Sequence, residues 1–208
     1  MIKVWDPLQR LLHWGLVASI AIAWLTGEDG EALHEWAGYA ALGIVGVRLI
    51  WGVIGPRYAR FTQFIRGPQQ VIAYARDVVQ RREKRYVGHN PLGAVMVLAL
   101  LATTAATGIT GWLMVKPERL AMLPEVSAFI TPAFADSDEE REYGEYGEYG
   151  EGSMEALEEI HEFLANLLLL LIVLHVAGVI YTSIRHRENL ARSMVTGTKR
   201  SPASDDIA

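Results

Sequence analysis

The sequence contains no cysteine among its 208 residues. This absence excludes disulfide bonds, zinc–thiolate sites, cysteine-ligated iron–sulfur clusters and the C-x-x-C-H attachment of c-type haem. Any metal or redox group in this chain must therefore be held by other side chains. The formal net charge of −5 indicates little by itself, because positive and negative residues occupy different segments.

Long apolar runs, in contrast, are abundant, since hydrophobic residues make up 51% of the chain. Four windows, near 8–27, 34–55, 92–114 and 160–184, each approach the roughly 20 residues that cross a bilayer core as a helix. Such a helix satisfies its own backbone hydrogen bonds, which lipid cannot do. The first window lacks the small-residue cleavage pattern of a removed signal, so we expect it to remain. The sequence predicts an all-α integral membrane four-helix bundle over residues 1–195.

Positive charge is scarce in two connecting segments and concentrated in the others. The 56–91 link has eight Arg or Lys residues against two acids, and both chain ends are basic. The 115–159 segment has three basic residues against thirteen acids. All the charged residues of the first connection, 28–33, are acids. Because short basic segments stay in the cytoplasm, we predict that both termini are cytoplasmic and that 115–159 is an outer loop.

The outer loop contains an acidic low-complexity run over residues 136–152 with three Glu-Tyr-Gly units. Its composition is typical of a solvated, flexible linker, and a docking surface for a basic partner or a weak cation site are the alternatives. In the cytoplasmic link, "GPQQVIAYARDVVQRREKRY" predicts an amphipathic helix attracted to anionic headgroups. We expect residues 196–208 to form a flexible cytoplasmic tail.

Four of the six histidines lie in or at the mouth of the apolar windows: His13, His34, His161 and His175. Ionisable residues in membrane segments are costly and usually face the bundle interior for a function. Fourteen residues separate His161 from His175, which turns the helix by about 1400°, close to the same face, and advances it about 21 Å. The helix directions then place His34 level with His161 and His13 level with His175. The spacing predicts two bis-histidine sites at two depths.

Two histidines that face each other across a bundle are the axial pair of a six-coordinate b-type haem. Zinc or copper would require three or four clustered ligands, and a proton relay usually includes an intramembrane Asp or Glu. The inner pair has neither further metal-ligating side chains nor an Asp or Glu beside it. We therefore predict two b haems, the inner one on His13 and His175 and the outer one on His34 and His161.

Three further residues share the predicted interior. Arg48, fourteen residues after the histidine of the second helix, is expected to bind a haem propionate or to extend to the inner headgroups. Gly27, fourteen residues after His13, and Gly38, one turn after His34, face the outer layer. A missing side chain there would admit a porphyrin or serve helix packing alone. His89 precedes the third helix and is expected to be structural, with a quinone site as the alternative.

With these residues placed, the chain resembles the bacterial di-haem cytochrome b family, which includes b-561-type cytochromes and the membrane subunit of nickel–iron hydrogenases. The resemblance is carried by "VWDPLQRLLHW", "HEWAGY", "RLIWGVIGPRYARF", "GHNPLG" and the paired histidines of the fourth helix. It implies a bacterial inner-membrane protein with four spanning helices and two b haems, whose ligands come once each from helices 1 and 2 and twice from helix 4. The acidic outer loop is not a standard part of that family.

The resemblance also implies a function: electron transfer between a periplasmic redox partner and membrane quinone. The partner expected is a c-type cytochrome, a hydrogenase or another dehydrogenase subunit, and the acidic outer face favours a basic one. The chain is then an electron-transfer subunit rather than an independent enzyme, compatible with a homodimer and without a nucleic-acid partner. The alternatives are a free-standing superoxide:quinone oxidoreductase and a histidine-based metal-ion transporter or metal-handling membrane protein.

Overall fold

The computed structural model describes residues 1–27, 32–116, 119 and 148–207, so most of the acidic run of the outer loop lies outside the described residues. Four long helices dominate, and each contains a stretch long and apolar enough to cross a membrane. They are α1 (Pro7–Leu25), α2 (Ala32–Ile54), α5 (Pro91–Met114) and α6 (Glu148–Arg185). The shorter elements are β1 (Ile2–Lys3), α3 (Phe61–Phe64), α4 (Pro68–Val79), α7 (Leu190–Thr196) and β2 (Thr198–Lys199).

The starts of α1 and α5 are fixed by the same local device. Asp6 accepts a hydrogen bond from the main-chain nitrogen of Gln9 at 3.0 Å, and Asn90 accepts one from Gly93 at 2.7 Å. A proline opens each helix, where its missing N–H costs nothing. These caps set where each helix begins, and therefore the depth and direction of its side chains.

Helix α6 begins earlier than the apolar window predicted, because its outer end packs as well. Ala156 and Leu157 are buried against Leu113 near the end of α5. Further along α6, Leu168 is only 6% exposed, whereas Leu170 is 54% exposed. The helix therefore has an inward stripe and a face suited to lipid, as the histidine spacing predicted.

Close helix packing runs from α1 to α2, from α2 to α5, and from α5 to α6. Helix α6 thus joins the bundle mainly through α5. The histidines of α6 nevertheless approach those of α1 and α2, so they meet across the interior of the bundle. The predicted amphipathic helix of the link is α4.

The chain ends meet at one end of the bundle. Strand β1 pairs with β2 in antiparallel fashion, with Ile2 opposite Lys199. Ile207 forms a bridge with Tyr86 of the link between α4 and α5. The basic link and both chain ends therefore lie together. In its described part, residues 196–207, the tail is paired with these segments, where a flexible tail over residues 196–208 was predicted.

A buried ion network explains why the tail packs. Arg85 pairs with Glu188 at 2.7 Å and also with Asp206, and Lys199 donates to the main-chain oxygen of Val87 at 2.9 Å. Burial disfavours the charge on Arg85, but hydrogen bonds to the two carboxylates outweigh it and raise its pKa. Because these partners are more than 100 residues apart in the chain, no local pattern indicates the network.

Candidate functional site

The structure brings the four predicted histidines together in two pairs. The ring centres of His13 and His175 are 6.5 Å apart, with the ring planes inclined by 50°. Those of His34 and His161 are 6.2 Å apart, inclined by 67°. All four side chains are half-buried. The pairing and its two layers are those that the fourteen-residue spacing predicted.

These separations distinguish between two kinds of metal site. With about 2 Å from metal to nitrogen and about 1 Å from that nitrogen to the ring centre, two imidazoles on opposite sides of one metal have ring centres about 6 Å apart. A tetrahedral ion would draw the ring centres to about 5 Å. Both pairs fit the opposed arrangement, and no cluster of three or more metal-ligating side chains exists within the described ranges. The donor set suits a metal whose remaining ligands come from a macrocycle.

In the outer pair, each imidazole has a hydrogen-bond partner at Nδ1. His34 Nδ1 lies 2.8 Å from the main-chain oxygen of Ala23. A carbonyl oxygen only accepts, so Nδ1 carries the proton and the lone pair of Nε2 is free for a metal. His161 Nδ1 lies 2.9 Å from the hydroxyl oxygen of Thr110 on α5.

Sequence reasoning missed the contribution of α5, because this helix carries no histidine. A Cβ added at Gly111 would lie 3.1 Å from Cε1 of His161, so the imidazole packs closely against the α5 backbone. Thr110 and Gly111 together therefore contact the outer pair. A run of hydroxyl side chains occurs in this membrane helix, at Thr103, Thr104, Thr107 and Thr110, but it does not single out Thr110 or Gly111.

The two predicted glycines differ in their surroundings. A Cβ at Gly27 would lie 3.7 Å from Nδ1 of His34, so Gly27 adjoins the outer pair. A Cβ at Gly38 would meet nothing within 4 Å, which leaves open space one turn after His34. Both positions are compatible with a flat ligand beside the outer pair.

Arg48 is buried, with 5% of the residue exposed. Its Nη2 donates to the main-chain oxygen of Ala59 at 3.1 Å, and its Cζ lies 4.8 Å from the centre of the Phe61 ring. Nη1 is buried and has no hydrogen-bond partner among the described residues. Burial does not fit an arginine extended into the headgroup layer, and the remaining N–H group requires an acceptor.

His89 lies between aromatic rings, with its ring centre 4.8 Å from that of Trp5 and 4.5 Å from that of Phe64. Burial, with the charges of Arg48 and Lys199 acting in the same direction, lowers the pKa of His89 to about 3. The adjoining cavity of about 40 Å³ is far below the roughly 300 Å³ of a small ligand pocket. This environment fits the expected structural role better than a quinone site.

Four apolar helices and opposed histidine pairs define a multi-pass membrane cytochrome of the b type. Comparison with known proteins supports this class, since the family described as prokaryotic cytochrome b561 matches residues 4–197. The chain belongs to that family, and it is a haem b protein of membrane electron transfer.

The chain also has a distant relative among curated proteins. The "Probable Ni/Fe-hydrogenase B-type cytochrome subunit" of Azotobacter vinelandii is 24% identical over 171 residues, covering 66% of this chain and 70% of the relative. No solved structure gives a significant match.

Proposed function

We propose that the chain binds two b-type haems, one on each histidine pair, and carries electrons between a periplasmic redox partner and membrane quinone. The observation that supports the two sites is the separation of the ring centres, 6.5 Å in the inner pair and 6.2 Å in the outer pair. When bound, haem supplies a one-electron iron couple. The protein supplies ligation, burial and charge, which set its potential.

Each pair has neighbours suited to a bound porphyrin. Arg48, with its unpartnered buried Nη1, would hold a propionate of the inner haem through a charge-assisted hydrogen bond. Gly27 and Gly38 would leave room beside the outer haem. On α6, the buried side chain of Leu168 lies between the two histidine layers and keeps water from the space between them.

The proposed location is the bacterial inner membrane, with both termini and the 56–91 link in the cytoplasm. The support is the charge distribution, because eight Arg or Lys residues in that link lie at the same end of the bundle as the chain ends. Short basic segments are retained on the cytoplasmic side. The outer histidine pair would then face the periplasm.

The proposed partner is a hydrogenase or another periplasmic redox protein. The hydrogenase subunit named for the relative from Azotobacter vinelandii and the thirteen acids of the 115–159 segment support a partner with a basic docking face. Electrostatic docking of this kind slows as ionic strength rises. An association rate that does not change with salt would contradict the basic partner without affecting the haem sites.

Haem content is the direct test. A reduced-minus-oxidised spectrum and a pyridine haemochrome assay of the purified protein should give a b-type α-band and two haems per chain. His175→Ala and His34→Ala should each retain one haem, whereas His186→Ala, outside both pairs, should retain two. The absence of a b-type band, or two haems in His175→Ala, would contradict the proposal.

A further inference from the structure

We propose that Thr110 of α5 is a positioning residue for the outer haem: its hydroxyl oxygen accepts a hydrogen bond from Nδ1–H of His161 and lowers the potential of the iron bound there. The inference rests on the proposed ligation of that haem by His34 and His161. It assigns a role to a helix that contributes no ligand.

The direction of the hydrogen bond follows from counting protons. Thr110 has a single hydroxyl hydrogen, and its Oγ1 lies 2.9 Å from the main-chain oxygen of Thr107. A carbonyl oxygen cannot donate, so that hydrogen is directed to Thr107. Oγ1 therefore presents a lone pair to Nδ1 of His161, 2.9 Å away. The imidazole must then carry its proton on Nδ1, which leaves Nε2 free to ligate.

Gly111, the residue after Thr110, restricts the orientation of the His161 ring. Gly111 allows the imidazole to approach the α5 backbone, since a Cβ there would lie 3.1 Å from Cε1 and 3.5 Å from Nδ1 of His161. The hydroxyl of Thr110 and the bare backbone of Gly111 thus contact the same edge of the ring. Both fix its rotation while its other nitrogen stays available.

A hydrogen bond at the distal nitrogen makes an imidazole a stronger electron donor to its metal. Stronger donation stabilises ferric over ferrous iron, so the potential falls. His34 has an equivalent bond to the main-chain oxygen of Ala23, which no side-chain substitution removes. Nδ1 of His13, in the inner pair, is buried without a partner among the described residues. Substituting Thr110 should therefore change the reduction potential of the outer haem and leave that of the inner haem unchanged.

Potentiometric titration of the full-length protein in nanodiscs tests this role. Thr110→Val keeps the shape of the side chain but removes the hydroxyl acceptor, so that the Thr107 carbonyl is the acceptor left near His161. The variant should raise the potential of the haem that is lost in His34→Ala. The other potential should stay unchanged, and Thr110→Ser should restore the original value. Thr104→Val is the matched control, because the Thr104 hydroxyl bonds within its own helix, to Leu100.

Low-spin electron paramagnetic resonance of the oxidised protein gives a second readout, in which the g-values of the same haem should shift in Thr110→Val alone. Unchanged potentials and g-values with both haems bound would overturn the role of Thr110 and leave the haem assignment intact. If Thr110→Val loses the outer haem, retention in Thr110→Ser supports the role, and loss in both overturns it. Two haems in His161→Ala would refute the ligand assignment itself.

Discussion

The guanidinium group of Arg48 is held to the Ala59 main chain, because Nη2 donates to that carbonyl oxygen at 3.1 Å. The Phe61 ring lies against the same group, 4.8 Å from Cζ. Two contacts thus fix a buried cation on α2 and leave Nη1 without a partner among the described residues. In the proposed inner haem site, this fixed positive charge would act on the reduction potential of the iron.

Arg48→Leu is expected to lower the potential of the inner haem, because a nearby positive charge favours the reduced iron. A positive charge about 8–17 Å from the iron, at an effective dielectric constant of about 20, separates the two oxidation states by about 1–2 kcal/mol. For a one-electron couple this difference corresponds to roughly 40–90 mV. Redox titration measures the shift. Arg48→Lys keeps the charge and should shift the potential less, whereas equal effects in both variants would argue against a role of the charge.

Gly52→Ala should destabilise the bundle, because a Cβ at this position would overlap the Phe61 ring. Displacing the ring also disturbs the packing of Arg48, and overpacking of this kind costs about 1–3 kcal/mol. Thermal unfolding in detergent measures the loss. Gly46→Ala on the same helix is the control, since a Cβ there meets nothing within 4 Å. Equal melting temperatures for the two variants would show that the Phe61 contact does not matter.

The inner haem is expected to have the higher potential of the two. Both imidazoles of the outer pair have an acceptor at Nδ1, which favours ferric iron there, while Arg48 favours ferrous iron at the inner site. Titration of His34→Ala and His175→Ala, each with one haem left, measures the two potentials separately. The reverse order would mean that another influence, such as solvent access, outweighs both.

Arg85→Met should release the tail while leaving the four long helices in place. The substitution removes the cation that is hydrogen-bonded to both carboxylates. Of its ion pairs, Glu188 then keeps only the 3.7 Å contact with Lys199, and Asp206 the 3.8 Å contact with the exposed Arg200. Breaking a buried ion pair from one side costs about 3–5 kcal/mol. Trypsin cleavage after Arg200, followed by mass spectrometry, measures the release. Arg82→Met, at an exposed position of the same link, is the control. Protection of the tail in Arg85→Met would show that β-pairing alone holds it.

Acid should release the same tail. Burial opposes ionisation of Glu188 and Asp206, but hydrogen bonds, including those from Arg85, outweigh it and hold the pKa of both carboxyls below the usual range. A lowered folded-state pKa contributes stability above the unfolded value, which is lost as the pH falls through the folded value. The tail should therefore loosen below about pH 4. Hydrogen exchange of the Ile207 amide, bonded to the Arg85 carbonyl, reports the change, and equal protection at pH 3 and pH 7 would contradict it.

The histidine pairs could be predicted because their geometry follows from helix periodicity together with the directions of the helices. Membrane helices have few possible directions, so a fourteen-residue interval on α6 places His161 and His175 on one face at two depths. The charge distribution then predicts the direction of every helix. In the structure, the ring centres of the predicted partners are 6.5 Å apart in the inner pair and 6.2 Å apart in the outer pair.

Other contacts could not be predicted, because they depend on neighbours that no local pattern specifies. Thr110 and Gly111 matter only because of how α5 is rotated against α6, and both residue types are common in membrane helices. The tail lacks apolar periodicity, and its order depends on Arg85, a residue more than 100 positions earlier. Interhelical rotation and long-range ion pairing are the parts of the fold that the sequence does not display.

The use of α6 by both histidine pairs has a consequence for the order of synthesis. His13 and His34 leave the ribosome early, but each waits for a partner more than 120 residues later in the chain. A nascent chain with three inserted helices therefore contains one histidine of each site, and both sites are still incomplete. Entry of α6 completes both within fourteen residues, so the protein would acquire its two cofactors in a single late stage of assembly rather than one after each hairpin.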